Sequence, residues 1–100
     1  MNRNNALKND LHEFATLLIE LKTSDEAICL LQEIMTEAEL DTLSKRWRIL
    51  RMLKNGKTQR EISNTLNVSL CKITRGSKIL KNKKSIIQKY LRRNNHDNSQ

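Results

Sequence analysis

Apolar positions recur with helical spacing along almost the whole chain. Between about Asn9 and Lys22, Leu11, Phe14, Leu17, Leu18 and Leu21 line one face of a helix, where a strand would alternate residue by residue. Thr23-Ser24-Asp25-Glu26 supplies a hydroxyl and a carboxylate three residues apart, a capping box. It opens a second helix over about Ser24 to Met35, with Ala27, Ile28, Leu30, Leu31 and Ile34 as its buried set. A second box, Thr36-Glu37-Ala38-Glu39, opens the longest helix, which reaches about Asn55 with a stripe of Leu40, Leu43, Trp47, Leu50 and Leu53. Gly56 follows, where a left-handed residue closes a helix. The third box, Thr58-Gln59-Arg60-Glu61, starts a short helix to Leu66. Ser69 then caps a fifth helix to about Leu80, and Lys83 to Arg92 forms a sixth with Ile86, Ile87, Tyr90 and Leu91. Met1–Asn5 is expected to fray, and residues 93–100 read as a disordered tail.

Composition narrows this further. A chain of 100 residues with no proline and two glycines has few of the turn formers that hairpins need, so the expected fold class is all-α, six short helices. No apolar run approaches the roughly 18 residues of a membrane span and no leader is evident, so a soluble, cytoplasmic protein is expected. Cys29 and Cys71 lack metal-ligand spacing and read as reduced thiols. Three aromatics make a thin core, and the first helix is apolar over more than half its circumference. Homodimerisation through the first three helices would cover that surface.

Charge is divided unevenly. Residues 1–44 hold three Lys/Arg against nine Asp/Glu, whereas residues 45–100 hold sixteen against two. From Lys45 to Arg93 the only acid is Glu61. A half so basic favours a polyanion such as double-stranded DNA, and it lacks the long aromatic-faced helix of a membrane-surface binder. Gln59–Lys78 has the spacing of a helix-turn-helix: Ile62 and Leu66 face inward, Ser63 permits close approach, Asn67 takes the left-handed turn position, and Val68 and Ile73 pin the second helix. Lys72, Arg75, Lys78 and Lys81 run down that second helix, where each can neutralise a phosphate.

The string KITRGS at Lys72–Ser77, with TQREI at Thr58–Ile62 and Arg46-Trp47-Arg48 upstream, resembles the Trp repressor family over roughly Thr36 to Lys81. The resemblance implies an interwoven all-α homodimer whose two readers enter successive major grooves of an operator, with L-tryptophan as corepressor between core and reader. Its targets would be genes of tryptophan biosynthesis or transport. Thr36, Arg46, Arg75 and Gly76 align with pocket positions: the arginines sandwich the indole, one of them meets the carboxylate, and Gly76 leaves space for the ring. The same resemblance puts Leu70, Cys71 and Thr74 at base edges and Arg60 within reach of a guanine. Gln59, Lys72, Ser77, Lys78 and Lys81 would hold the DNA backbone. The single domain then divides into a dimerisation core (1–57), the helix-turn-helix (58–81) and a C-terminal helix (82–92).

Two positions depart from the family's tryptophan repressors. Lys72 stands where they carry a small hydroxyl residue, and Ile79 where they carry a serine. A regulator with another effector or none therefore stays open, as does a nonspecific architectural DNA-binding protein or a protein–protein module built on the first three helices. Leu70 reads either as a base contact or as a core residue, and Trp47 as core or pocket wall. Cys71, beside Lys72 near a helix start, has the setting of a redox-sensitive thiol. His12 and His96 are isolated, and no nucleophile–base pair or phosphate loop is present, so neither a metal site nor an enzyme is expected.

Overall fold

The computed structural model describes residues 3–94. These form α1 (Arg3–Glu20), α2 (Ser24–Ile34), α3 (Glu37–Lys54), α4 (Gln59–Leu66), α5 (Leu70–Lys81) and α6 (Ile86–Arg93). No strand occurs among the described residues, and no helix there is long and apolar enough to cross a membrane. The chain divides into two compact units within α3, between Leu40 and Asp41.

In the first unit the chain ends its helices where the capping residues stand. Glu26 N donates to Thr23 Oγ1 at 3.1 Å, while Glu26 Oε1 accepts from the amides of Lys22 (2.8 Å) and Thr23 (3.3 Å). Thr36 and Glu39 close the same reciprocal pair, at 2.8 and 3.1 Å. The start of α1 lies upstream of the expected Asn9, because Arg3–Lys8 contains neither glycine, proline nor a β-branched residue to stop a helix. Arg3–Asn5 are accordingly helical, and Met1 and Asn2 lie outside the described residues. The expected α2 core does not form: Ile28 and Ile34 are exposed, Ala27, Leu30 and Leu31 only half-buried, and no described residue of α1 or α2 is fully buried.

The second unit holds the core. Ile49, Ile62 and Ile73 are buried, with Met52, Leu53, Leu66 and Val68 packed against them. At 100° per residue, Ile49 lies about 120° around α3 from Leu43 and about 160° from Trp47. The expected stripe is therefore buried only toward the C-terminal end of α3: Leu50 is inside and Leu53 packs on the core, Ile49 joins them from outside the stripe, and Leu43 and Trp47 remain exposed. α3 closes on Gly56 at φ 88°, with Gly56 N bonded to Leu53 O and Lys57 N to Met52 O, both at 3.0 Å. That is the two-bond helix ending for which a left-handed glycine is suited. α6 begins at Ile86 and not at Lys83. Asn82 Oδ1 accepts from Lys84 N at 2.9 Å and Asn82 O from Ser85 N at 3.0 Å, holding a turn that delays the helix until Ser85 caps it. Leu91 is its buried anchor; Arg93, expected in the tail, is the last residue of α6 with Asn94 as its cap, and residues 95–100 lie outside the described residues.

Candidate nucleic-acid interface

The pair α4 and α5 is built from short-range bonds. Thr58 caps α4: Glu61 N donates to its Oγ1 at 3.1 Å and Thr58 N donates to Glu61 Oε1 at 2.9 Å. The Thr58 amide, then its hydroxyl, holds the Glu61 carboxyl below its ordinary pKa. α4 ends on Asn67 at φ 56°, ψ 50°, the left-handed conformation that asparagine tolerates better than most residues. Ser63 sits at the approach of the two helices and its Oγ donates to Val68 O at 2.9 Å, so the small side chain also ties the turn. Ser69 then caps α5, accepting from Lys72 N at 3.4 Å. Ile62 and Ile73 are completely buried between the helices and α3.

This packing decides what α5 presents outward. Ile73 and Gly76 are buried, with Ser77, Ile79 and Leu80 half-buried beside them. Leu70, Cys71, Thr74, Lys78 and Lys81 fall within an arc of roughly 100° on the opposite side, and all five are exposed. Leu70, at 55% exposure, is not a core residue. The apolar and hydroxyl groups thus sit toward the N-terminal end of this face, and the lysines toward its C-terminal end. Gln59 and Arg60 are exposed in the first turn of α4.

The other sequence-derived positions are spread differently. Gly76 lies at the crossing of α5 and α3, where an added Cβ would come within 3.2 Å of both Ile49 Cγ2 and Leu53 Cδ1. The room it leaves is thus taken by α3 side chains. Arg46 and Lys72 line one cleft of about 120 Å³, together with Asp41, Thr42, Lys45, Ile49, Asn67 and Val68. Arg75 is exposed on α5 and is not among the residues lining this cleft. Thr36 belongs to the first unit, where its hydroxyl and amide are engaged in the cap of α3.

A second depression was not foreseen. Trp47 and Tyr90 stand 5.9 Å apart with ring planes tilted by 54°, and the Arg93 guanidinium lies 5.7 Å from the Tyr90 ring centre. Trp47 and Tyr90 border a groove of about 310 Å³ edged by Arg48, Arg51, Lys54 and Lys57. Trp47 is thus a groove wall at 37% exposure, and the basic residues at every third position from 48 to 57 were the available sequence signal. Lys45–Asp41, at 3.2 Å, is the one ion pair found among the described residues, so most of the basic surface has no carboxylate partner. Cys29 and Cys71 are free and exposed. No group of His, Cys, Asp and Glu among the described residues could hold a metal ion.

A six-helix, all-α chain with a capped helical hairpin, a left-handed turn and a basic outer face has the architecture of a DNA-binding regulator. The profile of the family described as Trp repressor protein matches residues 9–95, so the chain belongs to the Trp repressor family. It is 37% identical over 62 residues to the Trp operon repressor homolog of Xylella fastidiosa strain M23, covering 61% of this chain and 67% of the relative. The homologs of strains Temecula1 and 9a5c match equally well. No solved structure matches the chain. The family is one of DNA-binding regulators and not of enzymes, and this chain is a Trp-repressor-like regulator of transcription.

Proposed function

We propose that the chain is a homodimeric repressor that binds a specific DNA operator through a helix-turn-helix formed by α4 and α5, with L-tryptophan as corepressor. It would act in the cytoplasm on genes of tryptophan biosynthesis or transport. The observation that carries this reading is the orientation of α5: its packing on α3 and α4 leaves Leu70, Cys71 and Thr74 exposed together near its N-terminus, with Lys78 and Lys81 behind them. N-terminal side chains of a groove-bound helix meet base edges, and lysines further along meet phosphates. Arg60 and Gln59 at the start of α4 extend the contact, Arg60 toward a guanine and Gln59 toward the backbone. Ser77 and Lys72 add backbone contacts in the same reading.

Arg46 and Arg75 are the proposed clamps on the indole. The cleft beside Arg46 supports the Arg46 half of this placement, since a ligand there would touch α3 and, through Lys72, the first turn of α5 and so set the angle of the reader. The ligand then favours the state in which the two readers match successive grooves about 34 Å apart, and a coupling of 1–3 kcal/mol changes operator affinity by about five- to 150-fold. Titration calorimetry with L-tryptophan tests this. The expected result is one site per chain, absent in Arg46→Ala, with no heat from amino acids that lack an indole. Absence of tryptophan binding in the parent would instead assign the cleft to another effector or to none.

A further inference from the structure

We infer that Lys83 and Lys84, in the turn between α5 and α6, form a second grip on the DNA backbone beyond the reader helix; this rests on the DNA-binding reading of α4 and α5. Both side chains are exposed, as is Lys81 just before them. Their backbone is held in place: Asn82 N donates to Ile79 O at 3.2 Å, and Asn82 Oδ1 and O accept from the amides of Lys84 and Ser85 at 2.9 and 3.0 Å. Ser85 then caps α6 by accepting from Gln88 N at 3.1 Å, and Leu91 anchors that helix in the core. The two lysines therefore project from a fixed turn.

Local structure gives no reason for their charge. Cations just before a helix oppose its dipole, which favours acids at that end. Of the five helices that follow a turn, α2, α3 and α4 open on acids: Asp25 and Glu26, Glu37 and Glu39, and Glu61. α5 and α6 have none. α5 is the reader, with Lys72 in its first turn, and Lys83-Lys84 repeats the exception immediately before α6. Among the described residues no carboxylate pairs with either lysine, and Glu61, the one acid between Lys45 and Arg93, is engaged in the cap of α4. A local rule broken without a compensating contact marks a functional surface. The polyanion that fits is the strand already met by Lys78 and Lys81. Three residues of chain reach at most about 11 Å, and a DNA strand rises about 3.4 Å per nucleotide, so Lys81, Lys83 and Lys84 can meet neighbouring phosphates of one strand.

The test is the salt dependence of binding to a labelled random-sequence duplex, read by fluorescence anisotropy. For Lys83→Gln/Lys84→Gln the slope of log affinity against log salt should be shallower by about 1.8 units per bound chain, about 3.6 for a dimer that grips with both copies, at about 0.9 per phosphate lost. Lys83→Arg/Lys84→Arg should keep the parent slope. Lys8→Gln/Lys22→Gln, which removes the same charge from exposed positions of the first unit, should also keep it. An unchanged slope in the Lys83/Lys84 variant, with a parent that binds, overturns this inference and leaves the reader intact. An equal loss in the Lys8/Lys22 variant reduces it to net charge and overturns it too. A parent without salt-dependent DNA binding removes the reading on which it rests.

Discussion

Lys72 is the residue on which ligand and DNA readings meet. It lies at the third position of α5, with its amide held by Ser69, and its side chain lines the cleft that contains Arg46. The cleft measures about 120 Å³, smaller than the roughly 150 Å³ apolar cavity that admits a benzene ring. In the proposed reading an indole would enter only if the Lys72 side chain swings aside. Lys72→Ala should bind L-tryptophan several-fold more tightly than the parent in calorimetry while weakening random duplex DNA slightly. A weaker tryptophan affinity would show instead that the ammonium holds the carboxylate. The α4–α5 hairpin was legible because Ile62, Ser63, Asn67 and Ile73 stand at one compact spacing. Ile49 was not, because it lies outside the stripe of α3. Its burial depends on the distant Gly76, whose missing Cβ lets α5 approach Ile49 and Leu53.

Among the elements, α4 shows how local bonds fix the hairpin. Its capping box satisfies amides at the helix start, and substitution of such a threonine by alanine costs about 1 kcal/mol. Thr58→Ala should therefore lower the midpoint of thermal unfolding. The bonds that hold Glu61 below its ordinary pKa give the cap a pH dependence. A carboxylate depressed in the folded state stabilises fully above its unfolded pKa, and the contribution is lost as pH falls through the folded one. The hairpin should accordingly weaken in acid below the ordinary glutamate range, and Glu61→Gln should lose that portion of the acid dependence. An identical acid profile in the variant would contradict the role given to this cap. All three boxes were readable from sequence because each partner lies three residues from the other. The start of α6 was not, because Asn82 and Ser85 form a competing turn that a helix-period pattern cannot reveal.

At the scale of the whole molecule, two halves of opposite charge differ also in burial. The fully buried apolar residues, Ile49, Leu50, Ile62, Ile73 and Leu91, all belong to the second unit. α1 leaves Leu11 at 68% and Ile19 at 83% exposure. Such apolar surface is characteristic of an unfilled protein interface, and association of two copies would bury it. Sedimentation should give the mass of two chains, with Leu11→Glu shifting the distribution toward one. A single-chain mass for the parent at micromolar concentration would contradict a dimer. The sequence showed this need as an excess of apolar circumference on the first helix, but no periodicity identifies which surface meets which. The central claim is sequence-specific binding by α5. It is tested most directly by selecting duplexes from a random pool in the presence of L-tryptophan, then comparing the affinity of a selected duplex with that of a random one at moderate salt. The predicted ratio is at least about 10³, falling when tryptophan is withdrawn. A ratio near one would contradict it and leave a protein that holds DNA by charge alone.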